Sequence, residues 1–157
     1  MKSLIFLFPL IFLLSCANSR KDNPNSPSMN YDQISFEFRD ASVPPQYHRS
    51  YTIDVSKEES RVVVDSYGDV LAEQTEAITP ETWGNLQKAA AGLQKAGSFT
   101  AEGATGTKGF TLALYVKGEK VYELYWDSLS RDKAEQSAKD LREAVKATQP
   151  KLSELTR

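Results

Sequence analysis

Apolar and polar residues alternate over ISFEFR, with Ile34, Phe36 and Phe38 on one side and Ser35, Glu37 and Arg39 on the other. A period of two marks a half-buried strand. Pro44 and Pro45 then break the run, because consecutive prolines cannot both sit in a hydrogen-bonded ladder. HRSYTIDVS resumes the alternation with Tyr51, Ile53 and Val55 on one face. After KEES, the β-branched RVVVDSY predicts a third strand. A turn at Gly68 leads into DVLAEQTEA, a weaker fourth strand expected to place Val70 or Leu71 inside.

At ITPETWGNLQKAAAGLQKAG the period changes from 2 to 3.6. Thr79 is a suitable N-cap, Pro80 fits the first helical position where an N–H is not needed, and Ile78 can staple onto Trp83. Trp83, Leu86, Ala90 and Leu93 form one stripe, and Gly97 supplies the stop. GFTLALYVKGEKVYELYW predicts a hairpin with Phe110, Leu112, Leu114 and Val116 facing the core beside Tyr122, Leu124 and Trp126. For these sets to share a face, opposed residues must have numbers of equal parity, so a three-residue Lys117-Gly118-Glu119 loop is expected. SRDKAEQSAKDLREAVKATQP carries Ala134, Ala138, Leu141 and Val145 on one helical stripe and ends near Pro150. Leu152 and Leu155 suit a further short turn. Strands in runs with two helices and no regular βαβ alternation argue for an α+β two-layer sandwich: a mostly antiparallel sheet, order ββββαββα, with both amphipathic helices on one face.

The chain opens MKSLIFLFPLIFLLSC. Lys2 precedes an uncharged run from Leu4 to Leu14, the basic and apolar regions of a secretory signal. At about eleven residues the run is too short for a hydrocarbon core that needs roughly 20. It ends in Leu13-Leu14-Ser15-Cys16, which resembles the lipobox of bacterial lipoproteins. The resemblance covers residues 1–16. It implies that residues 1–15 are a lipoprotein signal peptide, and that Cys16 is lipidated on sulfur, becomes the mature N-terminus and is acylated on its amine by a fatty acid such as palmitate. The implied location is the cell envelope, with the membrane as a partner through the lipid. Ala17 is not the aspartate that some bacteria use for inner-membrane retention, which points to the outer membrane, periplasmic or surface-exposed. The body resembles small bacterial envelope lipoproteins in general.

Beyond Cys16, ANSRKDNPNSPSMNYDQ has almost no large aliphatic side chains, so residues 16–33 are expected to be the lipidated cysteine and a disordered tether. Its mean reach is on the order of 20–25 Å. Residues 34–157 are the size of a single α+β domain.

The chain has 19 Lys and Arg against 21 Asp and Glu; losing Lys2 with the signal leaves 18 against 21, a net of −3, with no basic block of the kind nucleic-acid binding needs. Cys16, the one cysteine, is taken by the anchor, and His48 is the one histidine. Thiolate catalysis is excluded in the mature chain, no metal site is expected, and no cofactor fingerprint is present. GSFTAEGATGTKG could cradle an anion through Gly103, Thr105, Gly106 and Lys108, but a phosphate-binding P-loop follows a strand and opens a helix, whereas this stretch follows a helix and opens a strand. A connector is the simpler reading. Asp65 and Asp69 flank SYG as turn formers, and Glu73 with Glu123 is an acid pair without a defined separation. His48 could serve a Ser-His-Asp arrangement, but no G-x-S-x-G elbow accompanies it.

The aromatics carry more weight. Tyr115 and Tyr125 fall on the outward face of the second hairpin, and Tyr47 and Tyr67 lie near turns from which they could extend the same patch. Tyrosine offers large contact area at low ordering cost, though cross-strand aromatics also simply stabilise sheets. The expectation is a non-enzymatic, membrane-anchored binding or inhibitor-like module that meets an envelope protein or glycan through the open sheet face. A small hydrolase using carboxylates or the Gly97–Gly109 loop, and a structural subunit of an envelope complex, are the alternatives.

Overall fold

The computed structural model describes residues 30–95, 106–130 and 136–157. β1 (Gln33–Asp40) leads through a 3-10 turn (Pro45–Tyr47) to β2 (Ser50–Ser56), β3 (Glu59–Ser66) and β4 (Asp69–Ala77). α1 (Pro80–Lys95) precedes β5 (Lys108–Val116) and β6 (Glu119–Asp127), and α2 (Gln136–Lys146) and a short α3 (Leu152–Leu155) follow. The strands form one six-stranded antiparallel sheet in the order β4-β3-β2-β1-β5-β6. β1 to β4 is a meander, and β5 returns to the free side of β1. α1 and α2 pack on each other, and α2 lies against β1 and β2. This is the two-layer α+β sandwich that the periodicities predict.

Local chemistry starts the helix layer where expected. Thr79 Oγ1 accepts the Thr82 N–H at 3.1 Å, Pro80 opens α1, and Ile78 and Trp83 both pack on the edge of the core. Leu86, Ala90 and Leu93 from α1 and Ala138, Leu141 and Val145 from α2 are buried against Ile34, Phe36, Ile53, Val55, Val62, Val64, Leu112, Leu114 and Trp126. Aromatic rings run across the sheet beneath them: Phe38 lies 5.1 Å from Tyr51 and 5.5 Å from Phe110, whose ring stacks on Trp126 at 5.4 Å. Burial pushes the Tyr51 phenol up to about 12, with Arg142 pulling the other way, so it stays a neutral hydroxyl.

A buried polar chain fixes α2 beneath β3. Thr148 Oγ1 donates to the Val145 carbonyl at 2.6 Å, which leaves it to accept the Ser60 hydroxyl, also at 2.6 Å. Gln149 Nε2 donates to both the Ser60 carbonyl and Oγ, at 2.7 and 2.9 Å. At the N-terminal edge, Gln87 holds Tyr31 from both sides, accepting its N–H at 3.1 Å and donating to its carbonyl at 2.6 Å. Asp32 accepts the Gly118 N–H at 3.0 Å. The folded body therefore takes in Tyr31, whose side chain is buried.

Two local expectations are corrected. The β5–β6 connection is a two-residue Lys117-Gly118 turn between Val116 and Glu119, with positive φ at both central residues (53° and 75°) as type I′ requires. The parity shift comes instead from a bulge: Leu114 pairs with Tyr122 but Tyr115 with Lys120, leaving Val121 extra. The β3–β4 hairpin repeats the device with Tyr67-Gly68 (φ 54° and 95°) and an extra Leu71. Val70 and Leu71 are consequently exposed, not inside. β4 is an edge strand whose inward Ala72, Gln74 and Glu76 are only half-buried.

Asp40 ends β1. Burial raises its carboxyl pKa, but hydrogen bonds from the Ser42 hydroxyl and N–H and the Lys108 ammonium 3.5 Å away outweigh that and leave it below the ordinary 3.8. A folded-state pKa below the unfolded one contributes stability above the unfolded value that is lost as pH falls through the folded one. Asp40→Asn should therefore flatten the decline of stability below about pH 4. Urea midpoints from pH 2.5 to 7 check this; a decline as steep as wild type would refute it.

Candidate functional site

The face of the sheet opposite the helices is open. Alternation sends Gln33, Ser35 and Glu37 of β1, Thr52 and Asp54 of β2, Thr111, Ala113 and Tyr115 of β5, and Glu123 of β6 outward. In register, Ser35 lies between Asp54 and Ala113, and Ala113 faces Glu123; Glu37 lies between Thr52 and Thr111, and Gln33 between Ser56 and Tyr115. The small side chains of Ser35 and Ala113 leave a shallow depression of about 390 Å³, walled by Glu37, Asp54, Glu123, Lys120 and Tyr115. Its charges are partly satisfied within the wall. Gln33 Nε2 donates to Asp54 at 2.9 Å, Lys120 pairs with Glu123, and Arg39 pairs with Glu37. The hydroxyls of Ser35, Thr52 and Thr111 have no hydrogen-bond partner among the described residues. Such a surface offers neutral donors and acceptors beside carboxylates and one ring, which suits a ligand rich in hydroxyl or amide groups.

The four tyrosines separate. Tyr115 stands on the rim of the depression. Tyr125 shares the face but leans away: a Cβ built on Gly109 would meet its ring and hydroxyl at 3.1 Å, so the ring lies directly on glycine backbone. That contact is sheet structure, and burial followed by the Asp127 charge pushes its phenol pKa up. Tyr47 and Tyr67 sit at the far end of the strands, on the β1–β2 connection and the β3–β4 turn, off the open face.

The other candidates fare as follows. Cys16, Gly103 and Thr105 lie outside the described residues. Gly106 is exposed with φ 77°, and Lys108 is engaged by Asp40 at 3.5 Å and by the Phe38 ring at 6.0 Å. Asp65 shapes its turn by accepting the Gly68 N–H at 3.0 Å. Glu73 and Glu123 stand on opposite edge strands, Glu73 paired with Arg61 and Glu123 with Lys120. His48 Nε2 does share a hydrogen bond with Ser50 Oγ, at 3.2 Å, but Ser50 is buried and its oxygen also takes the Asp40 N–H. His48 Nδ1 meets no carboxylate; it is buried without a partner among the described residues.

Sequence reasoning missed a recess of about 760 Å³ between Tyr31, the β2–β3 turn (Ser56, Lys57, Glu58) and the first turns of α1 (Trp83, Gly84, Gln87). Its one sequence signal is Gly84 inside a helix, where an added Cβ would meet open space. It lies where the chain enters the fold, and the Gln87 amide in its wall is committed to Tyr31. No family model matches the chain, and no curated protein matches it either.

Proposed function

We propose that this chain is a lipid-anchored envelope protein whose globular body binds a protein or glycan on its open sheet face and performs no chemistry on it. The anchoring rests on Lys2, the apolar run and Leu13-Leu14-Ser15-Cys16. No helix among the described residues is long and apolar enough to cross a membrane. The observation that carries the binding reading is the depression itself: a floor of small side chains, three hydroxyls around it without a partner among the described residues, and Tyr115 at its rim. Among the carboxylate pairs of the hydrolase alternative, Glu73 and Glu123 stand on opposite edge strands and Asp65 is taken up by its turn, while most of the Gly97–Gly109 loop lies outside the described residues.

Tyr115→Ala and Tyr125→Ala separate the two roles of tyrosine on this face. Against a panel of peptidoglycan fragments, neutral oligosaccharides and purified envelope proteins, Tyr115→Ala should weaken the bound member at least about ten-fold, the scale of a rim aromatic. Its thermal midpoint should stay near wild type. Tyr125→Ala should lower the midpoint by a few degrees through loss of the Gly109 contact, roughly 0.5–1 kcal/mol of cross-strand packing. Calorimetry and thermal melts read both. No binding by any panel member, or equal binding by Tyr115→Ala, would sink the reading.

A further inference from the structure

On the binding reading above, the lining of the open-face depression also restricts what can occupy it. No aliphatic side chain larger than alanine lines it, and Tyr115 is its one ring. The six large hydrophobic residues exposed among the described ones, Tyr47, Tyr67, Val70, Leu71, Val121 and Leu129, all lie outside it. A protein partner is gripped at the centre of its interface by desolvated aromatic and aliphatic anchors. Here the centre is Ser35 and Ala113, bordered by the hydroxyls of Thr52 and Thr111.

Charge gives a second restriction. Each cation bordering the depression sits against an acid: Arg39 on Glu37, Lys120 on Glu123, and Arg61, one strand further out, on Glu73. Lys117, beyond Tyr115, shares its end of the face with Asp32, which accepts the Gly118 N–H. Asp54 is different. Its Oδ1 accepts Gln33 Nε2 at 2.9 Å, and it forms no salt bridge among the described residues. Arg61 faces it in register but is held by Glu73 at 2.8 Å. The wall therefore presents one unbridged carboxylate and no unpaired cation.

We infer that the ligand of the open face is an uncharged oligosaccharide, an inference that rests on the binding reading of that face. Sugar hydroxyls both donate and accept, so they can donate to the second oxygen of Asp54 and exchange bonds with Ser35, Thr52 and Thr111. The apolar face of a sugar ring suits the Tyr115 ring, which contributes contact area at low ordering cost. Asp54 and Glu123 stand three strand spacings apart, about 14 Å, so the floor is wider than a single sugar. An acidic sugar would set its carboxylate beside Glu37, Asp54 and Glu123 with no free cation to receive it.

The test is calorimetry on the full-length chain in detergent. The probes are neutral tetrasaccharides of glucose, mannose and N-acetylglucosamine, the uronic-acid counterparts of the first two, and tetralysine. A neutral tetrasaccharide should bind, with an affinity that changes less than about two-fold between 50 and 300 mM salt. The uronic-acid tetrasaccharides should bind at least about ten-fold more weakly than the neutral one at the lower salt. Asp54→Asn should narrow that gap at least about three-fold while its thermal midpoint stays within about 2 °C of wild type, a change of preference that a merely structural residue would not produce. Ser35→Tyr, which covers the floor, should abolish binding of the neutral sugar. No neutral sugar bound at millimolar concentration, uronic-acid tetrasaccharides bound as tightly, tetralysine bound in preference, or a gap unchanged in Asp54→Asn would overturn the inference. An envelope protein that binds where the sugars do not, and that Tyr115→Ala weakens, would overturn it and leave open-face binding standing. Binding indifferent to Tyr115→Ala would remove both.

Discussion

Replacing Cys16 by serine is expected to abolish fatty-acid labelling of the protein altogether and to leave a precursor longer by residues 1–15. The reason is chemical. A thiol ionises far more readily than a hydroxyl and is much the better nucleophile, so under the proposed anchoring lipid transfer to position 16 would depend on sulfur. The apolar run of about eleven residues is too short to replace the anchor as a membrane span. Each buried methylene contributes about 0.8 kcal/mol, one acyl chain holds a protein only marginally, and two or more hold it stably. Labelling with a radioactive or alkynyl fatty acid, read on the same gel as the size shift, decides the matter. Label retained on Cys16→Ser would place the lipid elsewhere, and a wild type that takes up no label would refute the anchor. The open face is far from this change in the chain, so ligand affinity of the detergent-solubilised variant should match wild type.

How much of this was legible beforehand differs by element. ISFEFR and TIDV carry a period of two because one face of each is buried, RVVV is a β-branched run, and all three strands appear where those patterns put them. α1 starts at Thr79-Pro80 because cap, proline and staple are all local. Strand order was not legible. The pairing of β1 with β5 joins segments about 75 residues apart, and nothing local in Ile34–Phe38 names Phe110–Leu114 as a partner. In β4 only the inward set was misread, because the bulge beside Val70 and Leu71 shifts the register and the residues that do point inward, Ala72, Gln74 and Glu76, are small or polar and only half-buried. The two hairpin turns were readable in principle from Tyr67-Gly68 and Lys117-Gly118, X-Gly pairs between strand patterns, but the bulges that restore parity follow from cross-strand packing. The candidate site shows the same division. Parity predicts that Tyr115 and Tyr125 face outward, yet only the register shows that one edges a depression and the other lies on Gly109.

Phe36→Ala carries the largest expected cost to the folded state. Phe36 is fully buried in mid-β1, between Ile53 and Leu112 in register, with its ring edge-on to Tyr51 at 6.0 Å and 67°. Truncating such a ring removes its transfer energy and leaves a cavity that a sheet pinned on both sides cannot close, about 3–5 kcal/mol. Against a total of about 5–15 kcal/mol for a domain, that is a large share. The thermal midpoint should fall by roughly 10–20 °C, with the urea m-value unchanged if the native state keeps its extent. Tyr51 supplies a second readout. Its phenol is held at about 12 chiefly by burial, and water admitted beside it should bring the spectrophotometric titration back toward 10. A midpoint loss below about 5 °C would mean that the sheet and α2 collapse onto the gap, and that the core tolerates reshaping. Ser35 and Glu37, the neighbours of Phe36 in β1, point to the other face and shape the depression. If Phe36→Ala, studied at 10 °C where it stays folded, binds the open-face ligand as wild type does, recognition depends on the outward side chains alone. A parallel loss of affinity would show that the packed face of β1 positions the recognising one.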